Sequence, residues 1–311
     1  MDARVFVEPQ EGSTYEALHA SATVAEACGF SGFFCSDHYV SQGGGRGLPG
    51  PCDAWTVLAG LSRETISIRL GTLVSPATFR SPGQLAVISA QVDAMSGGRI
   101  ELGLGAGWCA DEHMACGIPF PSGRERFARL EEQLDILTAW WSLPAGQSLS
   151  YSGRHYQLTN SPALPKPVRP SGLPLILGGR GNRRTVQLAA RFATEYNVPF
   201  TDAAQARDLF RRFDHACAHY GRDPRRLERS VVVNICCGET SAELNRRQLL
   251  VQGLRGAYRP DGVCWGKPGD VVDQVSAYAE AGAGRIYLQF LDLFDTDHLK
   301  LVATEVLPRL P

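Results

Sequence analysis

Three short stretches carry residues able to move a proton or hold an anion. In "SDHY", Asp37 and His38 stand side by side after an apolar run. A carboxylate beside an imidazole can accept or deliver a proton near neutral pH, since the imidazole's ordinary pKa is about 6.5. "GGRGNRR" sets Gly178, Gly179 and Gly181 among Arg180, Arg183 and Arg184, just ahead of a helical pattern. Backbone N–H groups at a helix start, with cations close by, favour a phosphate. "ELGLGAGWCADEH" places glycines at 103, 105 and 107. Backbone without side chains leaves room for a flat ligand, or simply lets a strand end turn sharply. An Asp–His pair can equally be a structural hydrogen bond, so the elements that position these residues must decide.

Those elements alternate. Strand patterns cover 4–8, 32–36, 68–74, 99–105, 174–179, 194–198, 230–237 and 285–290, with helical patterns at 14–28, 53–64, 82–95, 123–141, 181–193, 202–220, 240–254, 269–281 and 296–307. Helix 123–141 is the clearest: Ser122 can cap it, with Glu125 three residues on, and Phe127, Leu130, Leu134, Leu137 and Trp141 share one face. Eight such units predict an α/β fold of the (β/α)8 TIM-barrel type, one domain over 1–311. A hairpin in "LSYSGRHYQLT" and a proline-rich connector form an insertion at about 142–173. The alternative is an open doubly wound sheet, but the first βα turn, "EPQEGSTYEA", lacks the glycine fingerprint that fold requires. In a barrel all strand ends face one mouth. Glu8, Asp37, His38, the 105–108 turn, Gly178, Asn197 and Gln289 would meet there, with Glu8, Trp108, Asn197 and Gln289 as candidate substrate contacts.

Composition narrows the chemistry. A formal net charge of −1 over 311 residues supplies no field for nucleic acid or an anionic membrane. Nine cysteines without a C-x-x-C pair suit a reducing compartment. "MDARVFVEPQ" lacks a signal peptide's apolar core, and no apolar run is long enough for a membrane span, so a cytoplasmic protein is expected. Of the seven histidines only His215 and His219 stand at H-x-x-x-H spacing, without the glutamate of an H-E-x-x-H motif, and no metal site is expected. Neither a nucleophile elbow nor a P-loop is present.

"LGTLVSPATFRSPGQLA", "SGGRIELGLGAGW", "GIPFPSGRERFARLEEQLDIL" and "LPLILGGRGNRRTVQLAARFATEYN" together resemble the luciferase-like superfamily, and within it the deazaflavin (coenzyme F420)-dependent oxidoreductases. The resemblance is dense from about residue 20 to 200. It implies a homodimeric barrel whose planar redox ring lies across the strand ends and transfers hydride to or from a small organic substrate. A C=C or C=N reductase is the reading adopted. The alternatives are an FMN-dependent monooxygenase and a non-catalytic flavin-binding barrel. The resemblance further implies a non-proline cis peptide at Leu73–Val74 beside Thr72, pressing on the ring. Cofactor contacts would come from Asp37, Thr72, Leu73, Val74, Gly105, Ala106, Gly107 and Trp108, and from Gly178, Gly179, Arg180, Gly181, Arg183 and Arg184 around the phosphate. Arg259 and Lys267 are candidates for the carboxylate tail of a deazaflavin. Asp37 and His38 are the expected catalytic pair, with His38 as proton donor or acceptor. The sugar-phosphate dehydrogenases of the family carry a glutamate after the glycine run, where this chain has Trp108, an expected apolar wall. Asp111, Glu112 and His113 follow closely and are left open between pocket and solvent.

Overall fold

The computed structural model describes residues 1–43, 47–255 and 262–311. Its strands are β1 (Asp2–Val7), β2 (Gly32–Cys35), β3 (Arg69–Thr72), β4 (Ser75–Pro76), β5 (Ile100–Gly105), β6 (Leu149–Ser152), β7 (Gln157–Ser161), β8 (Leu175–Gly178), β9 (Glu195–Pro199), β10 (Glu228–Cys237), β11 (Val263–Gly266) and β12 (Arg285–Gln289). The helices are α1 (Tyr15–Ala27), α2 (Ala54–Glu64), α3 (Pro82–Ser96), α4 (Ala110–Ala115), α5 (Gly123–Ser142), α6 (Arg183–Phe192), α7 (Ala203–His219), α8 (Ser241–Arg255), α9 (Pro268–Glu280) and α10 (Thr296–Glu305).

Eight parallel strands close a ring in the order β1-β2-β3-β5-β8-β9-β10-β12, with β12 returning to β1. Closure excludes the open doubly wound sheet. Every predicted strand is a stave of this ring. The additions are β4, β11 and the short helix α4, none of which is long enough to show a period. Residues 149–152 and 157–161 form the expected antiparallel hairpin, β6 with β7. Ser122 caps α5 through the Glu125 N–H, although the Glu125 carboxylate turns to Arg129 and does not complete the box.

Strand alternation divides the apolar residues into two cores. Val5, Val7, Phe33, Cys35 and Leu70 face outward and pack under the helices. Phe6, Phe34, Leu73, Ile176, Val232 and Tyr287 fill the barrel's interior. Below that interior layer lies a charged one: Arg4 donates to Glu101 at 2.6 Å, Arg69 also reaches Glu101, and Arg285 joins Glu195 and Asp2. Above it, toward the strands' C-terminal ends, the barrel opens.

At β3 the register slips. Gly71 pairs with Glu101 and Ser75 with Leu104, so β3–β4 advances four residues while β5 advances three. This is a bulge. The Leu73–Val74 peptide within it is cis, as the resemblance implied.

Candidate active site

Asp37 and His38 follow β2, and strand parity sends their side chains opposite ways. The Asp37 carboxylate turns behind the bulge. It accepts from Ser75 Oγ at 2.6 Å and from Arg80 Nη1 at 2.6 Å, while Arg80 also reaches Asp53 at 2.6 Å and Trp55 Nε1 donates to Ser75 Oγ at 3.1 Å. Burial raises the Asp37 pKa against the pull of Arg80 and Ser75. Asp37 is therefore a strut for the bulge, bonded inside the protein and absent from the cleft wall, where a cofactor contact was expected. Arg80, which the sequence reading missed, is the residue that makes it so. A single arginine just ahead of the Ser81 cap gives no periodic signal.

His38 turns inward and lines the cleft. Its Nδ1 lies 2.8 Å from Glu112 Oε2 and 3.0 Å from Oε1. A carboxylate accepts only, so Nδ1 carries the proton there and Nε2 is left to face a ligand. Burial would lower the His38 pKa, but the Glu112 hydrogen bond and charge outweigh it and raise the value. Glu112 comes from α4 and is 0% exposed. The pocket-or-solvent question over 111–113 is thus answered: Glu112 supports the histidine. Its neighbour His113 is a satisfied core residue, held between Thr78 Oγ1 and the Cys109 carbonyl and packed by Phe79 and Phe120. Asp111 is exposed.

The cleft holds about 290 Å³, at the lower end of small-molecule sites, roughly 300–1,000 Å³. One wall is the bulge, with Leu73, Val74 and Pro76; the facing side has Gly178, Gly179, Asn197, Pro199 and Phe200. Phe6 and Val232 are also among its lining residues, as are Glu8, Gly107 and Trp108. Trp108 is 66% exposed and sets its ring edge-on to His38 at 5.6 Å.

The glycine run resolves into separate causes. A Cβ on Gly103 would run into the Thr72 carbonyl, and one on Gly105 would come within 2.9 Å of Val74 Cγ2. Those two glycines are demanded by the bulge. Gly107, at φ +79°, is the one at the cleft. Thr72 is buried and donates to the Gly103 carbonyl, and Ala106 is half-buried; with Gly105, both stand outside the cleft lining, contrary to expectation.

Gly178 and Gly179 line the cleft and lead into α6, with Gly181 at φ +78° and exposed Arg180, Arg183 and Arg184 at the helix start. Arg180 Nη2 donates to the Phe200 carbonyl and Arg184 Nη1 to the Arg124 carbonyl, so these cations sit at the rim and not in the cleft wall. Asn197 donates to Ser230 Oγ. Gln289 is buried beneath the cleft and not in its wall. Lys267 is exposed and its backbone N–H is taken by Asp270, while Arg259 lies outside the described residues. No group of three or more metal-binding side chains occurs among the described residues.

The chain belongs to the luciferase-like monooxygenase family, whose model matches residues 1–259. An F420-dependent glucose-6-phosphate dehydrogenase of Microbacterium testaceum is 33% identical over 179 residues, covering 56% of this chain and 49% of that protein. The chain is thus matched over only about half the length of that relative. Among solved structures, an F420-dependent secondary alcohol dehydrogenase with an F420-acetone adduct superposes with a TM-score of 0.85 at 16% identity, covering 100% of this chain and 99% of that one. The FMN complex of a type II Baeyer–Villiger monooxygenase from Pseudomonas putida gives 0.76 at 16% identity, again covering 100% and 99%. The fold is common to both cofactor classes and does not choose between them.

Proposed function

We propose that this chain is a coenzyme F420-dependent oxidoreductase that delivers a hydride and a proton across a C=C or C=N bond of a small organic substrate. The observation that carries the reading is the His38–Glu112 pair beside an apolar, side-chain-poor slot. The slot suits a planar ring: Leu73, Val74 and Pro76 would back one face, and Gly107, Gly178 and Gly179 would leave room for the rest. The N–H groups opening α6, with Arg180, Arg183 and Arg184, would take the phosphate. The identity to an F420-dependent relative supports the deazaflavin over FMN. Bound there, the deazaflavin supplies a two-electron hydride equivalent.

The remaining work falls to the chain. Glu112 fixes the imidazole's orientation and stabilises its charged form. His38 Nε2 then holds the proton that completes the reduction, and solvent restores it through the exposed part of the ring. Glu112 is sealed behind His38, and Trp108 stands where the sugar-phosphate dehydrogenases carry a glutamate; no second carboxylate stands at that position, Glu8 lines the cleft beyond β1, and His38 is the proposed acid. Reduction needs only that acid.

Under the same proposal the chain is one barrel domain with 142–173 as its insertion, acting on a small molecule as a cytoplasmic homodimer, without nucleic-acid or membrane partners. The net charge of −1 supports this, and no helix among the described residues is long and apolar enough to cross a membrane. Light scattering on the purified protein reads the dimer directly.

Titration with F420 and with FMN, followed by ring absorbance, tests the cofactor. Binding of FMN alone would overturn the deazaflavin reading. His38→Ala should keep cofactor affinity and slow turnover by roughly 10²–10⁴, and an unchanged rate would remove its role.

A further inference from the structure

One buried side chain has no use in that mechanism. Gln289 ends β12, is 0% exposed, and neither its Nε2 nor its Oε1 has a hydrogen-bond partner. It shares strand parity with Tyr287, a residue of the barrel's interior layer, so it too points inward. Its register partners are Phe6 on one side and Asn234 on the other. Phe6 and Val232, two residues before Asn234, both line the cleft. Asn234, also of inward parity and only half-buried, has an unpartnered Oδ1. Two primary amides thus stand side by side under the cleft, on the β10–β12 side, away from the bulge and the α6 glycines.

Burying an amide with both ends unmet is unfavourable unless something meets them. A primary amide offers a donor and an acceptor in one plane, and its complement is a group with an adjacent acceptor and donor in the same geometry. A cis-amide edge has that pattern. We propose that Gln289, assisted by Asn234, is the recognition element for a cyclic amide of the substrate, a lactam or heteroaromatic lactam, held by two parallel hydrogen bonds. The inference rests on the reductase reading in that it assigns the substrate class to the same cleft. The lactam carbonyl would also polarise a conjugated C=C bond, the bond type that reading requires.

The test is a binding measurement with no turnover step. The full-length protein is titrated by calorimetry, with and without F420, against 5,6-dihydro-2(1H)-pyridone and its N-methyl analogue, which lacks the N–H. The wild type should prefer the N–H lactam by about tenfold, and Gln289→Leu should bring the ratio to near one while F420 binding is unchanged. Gln289→Met, which keeps the length and removes both hydrogen-bonding ends, serves if the leucine variant does not fold, and should abolish the same preference. A ratio near one in the wild type, or a preference that survives in Gln289→Leu, would overturn the proposal and leave Gln289 as a residue satisfied by buried water. Failure of F420 to bind while the lactam preference persists would count against the reductase reading alone.

Discussion

The barrel buries charge at both ends, and the two ends treat it differently. At the base, Arg4, Arg69 and Arg285 meet Asp2, Glu101 and Glu195 in a largely buried layer, and Arg4 lies over the Phe34 and Tyr287 rings. Three cations face these carboxylates and Glu228, 3.9 Å from Arg285, and the set bonds mainly within itself. At the mouth, the adjacent Asp37 and His38 diverge. The first enters a closed set with Arg80, Asp53 and Ser75, and the second is tied at one nitrogen and left open at the other. Closed networks hold geometry, whereas a group paired on one side only can exchange a proton with something from outside. That difference, more than residue type, separates strut from reagent here.

The comparison breaks most readily at the base. Glu101→Ala would strand Arg4 and Arg69 beside each other in a buried layer, and loss of one partner of a buried pair costs about 3–5 kcal/mol. Urea unfolding should show that loss, with F420 affinity of the folded fraction little changed. A loss below about 1 kcal/mol would place these pairs with exposed ones and remove the distinction between the two ends.

Legibility in the sequence follows the same divide. Among the described residues, the eight staves and nine of the ten helices could be read because periodic burial marks them, as in the Phe127–Trp141 face of α5. Glu8, His38, Gly107, Trp108, Gly178 and Asn197 could be placed at the cleft because a strand end in a barrel has only one mouth to face. Asp37 was expected at the mouth beside His38 and instead stands behind the bulge, because successive residues leave a strand on opposite faces and His38 takes the inward one. Glu112 was left open because α4 has six residues, too few for an amphipathic pattern, and exposed Met114 beside buried His113 erases what pattern there is. Arg80 could not be matched to Asp37 by any local rule, since the two are 43 residues apart.

A smaller effect sharpens the mouth. Glu112→Gln keeps an acceptor near His38 Nδ1 and removes the charge that raises its pKa. Reduction needs the proton on His38, so the rate should fall as pH rises through that raised value, and in the variant the falling limb should move to lower pH. Stability follows the same sign. The pair stabilises the fold fully below the imidazole's unfolded pKa of about 6.5, and that contribution is lost as pH rises through the folded value. The variant should therefore lose less stability than the wild type across that window. Coincident pH–rate limbs in the two proteins would show that Glu112 does not tune His38.

The smallest effect concerns Trp108, which touches His38 by a ring edge and is otherwise largely in solvent. Trp108→Ala should change stability by no more than about 0.5 kcal/mol, as for an exposed side chain outside the core. If the indole is an apolar wall for the substrate, the variant raises KM and leaves kcat near the wild-type value, the signature of binding shared equally by ground and transition states. A fall in kcat as deep as that of His38→Ala would instead make the ring part of the proton-holding geometry, because the edge contact would then be what keeps Nε2 aimed at the cleft. The pH–rate profile distinguishes the two: a wall leaves the His38 limb where it was, whereas an orienting ring moves it, since releasing the imidazole from Trp108 also loosens its bond to Glu112.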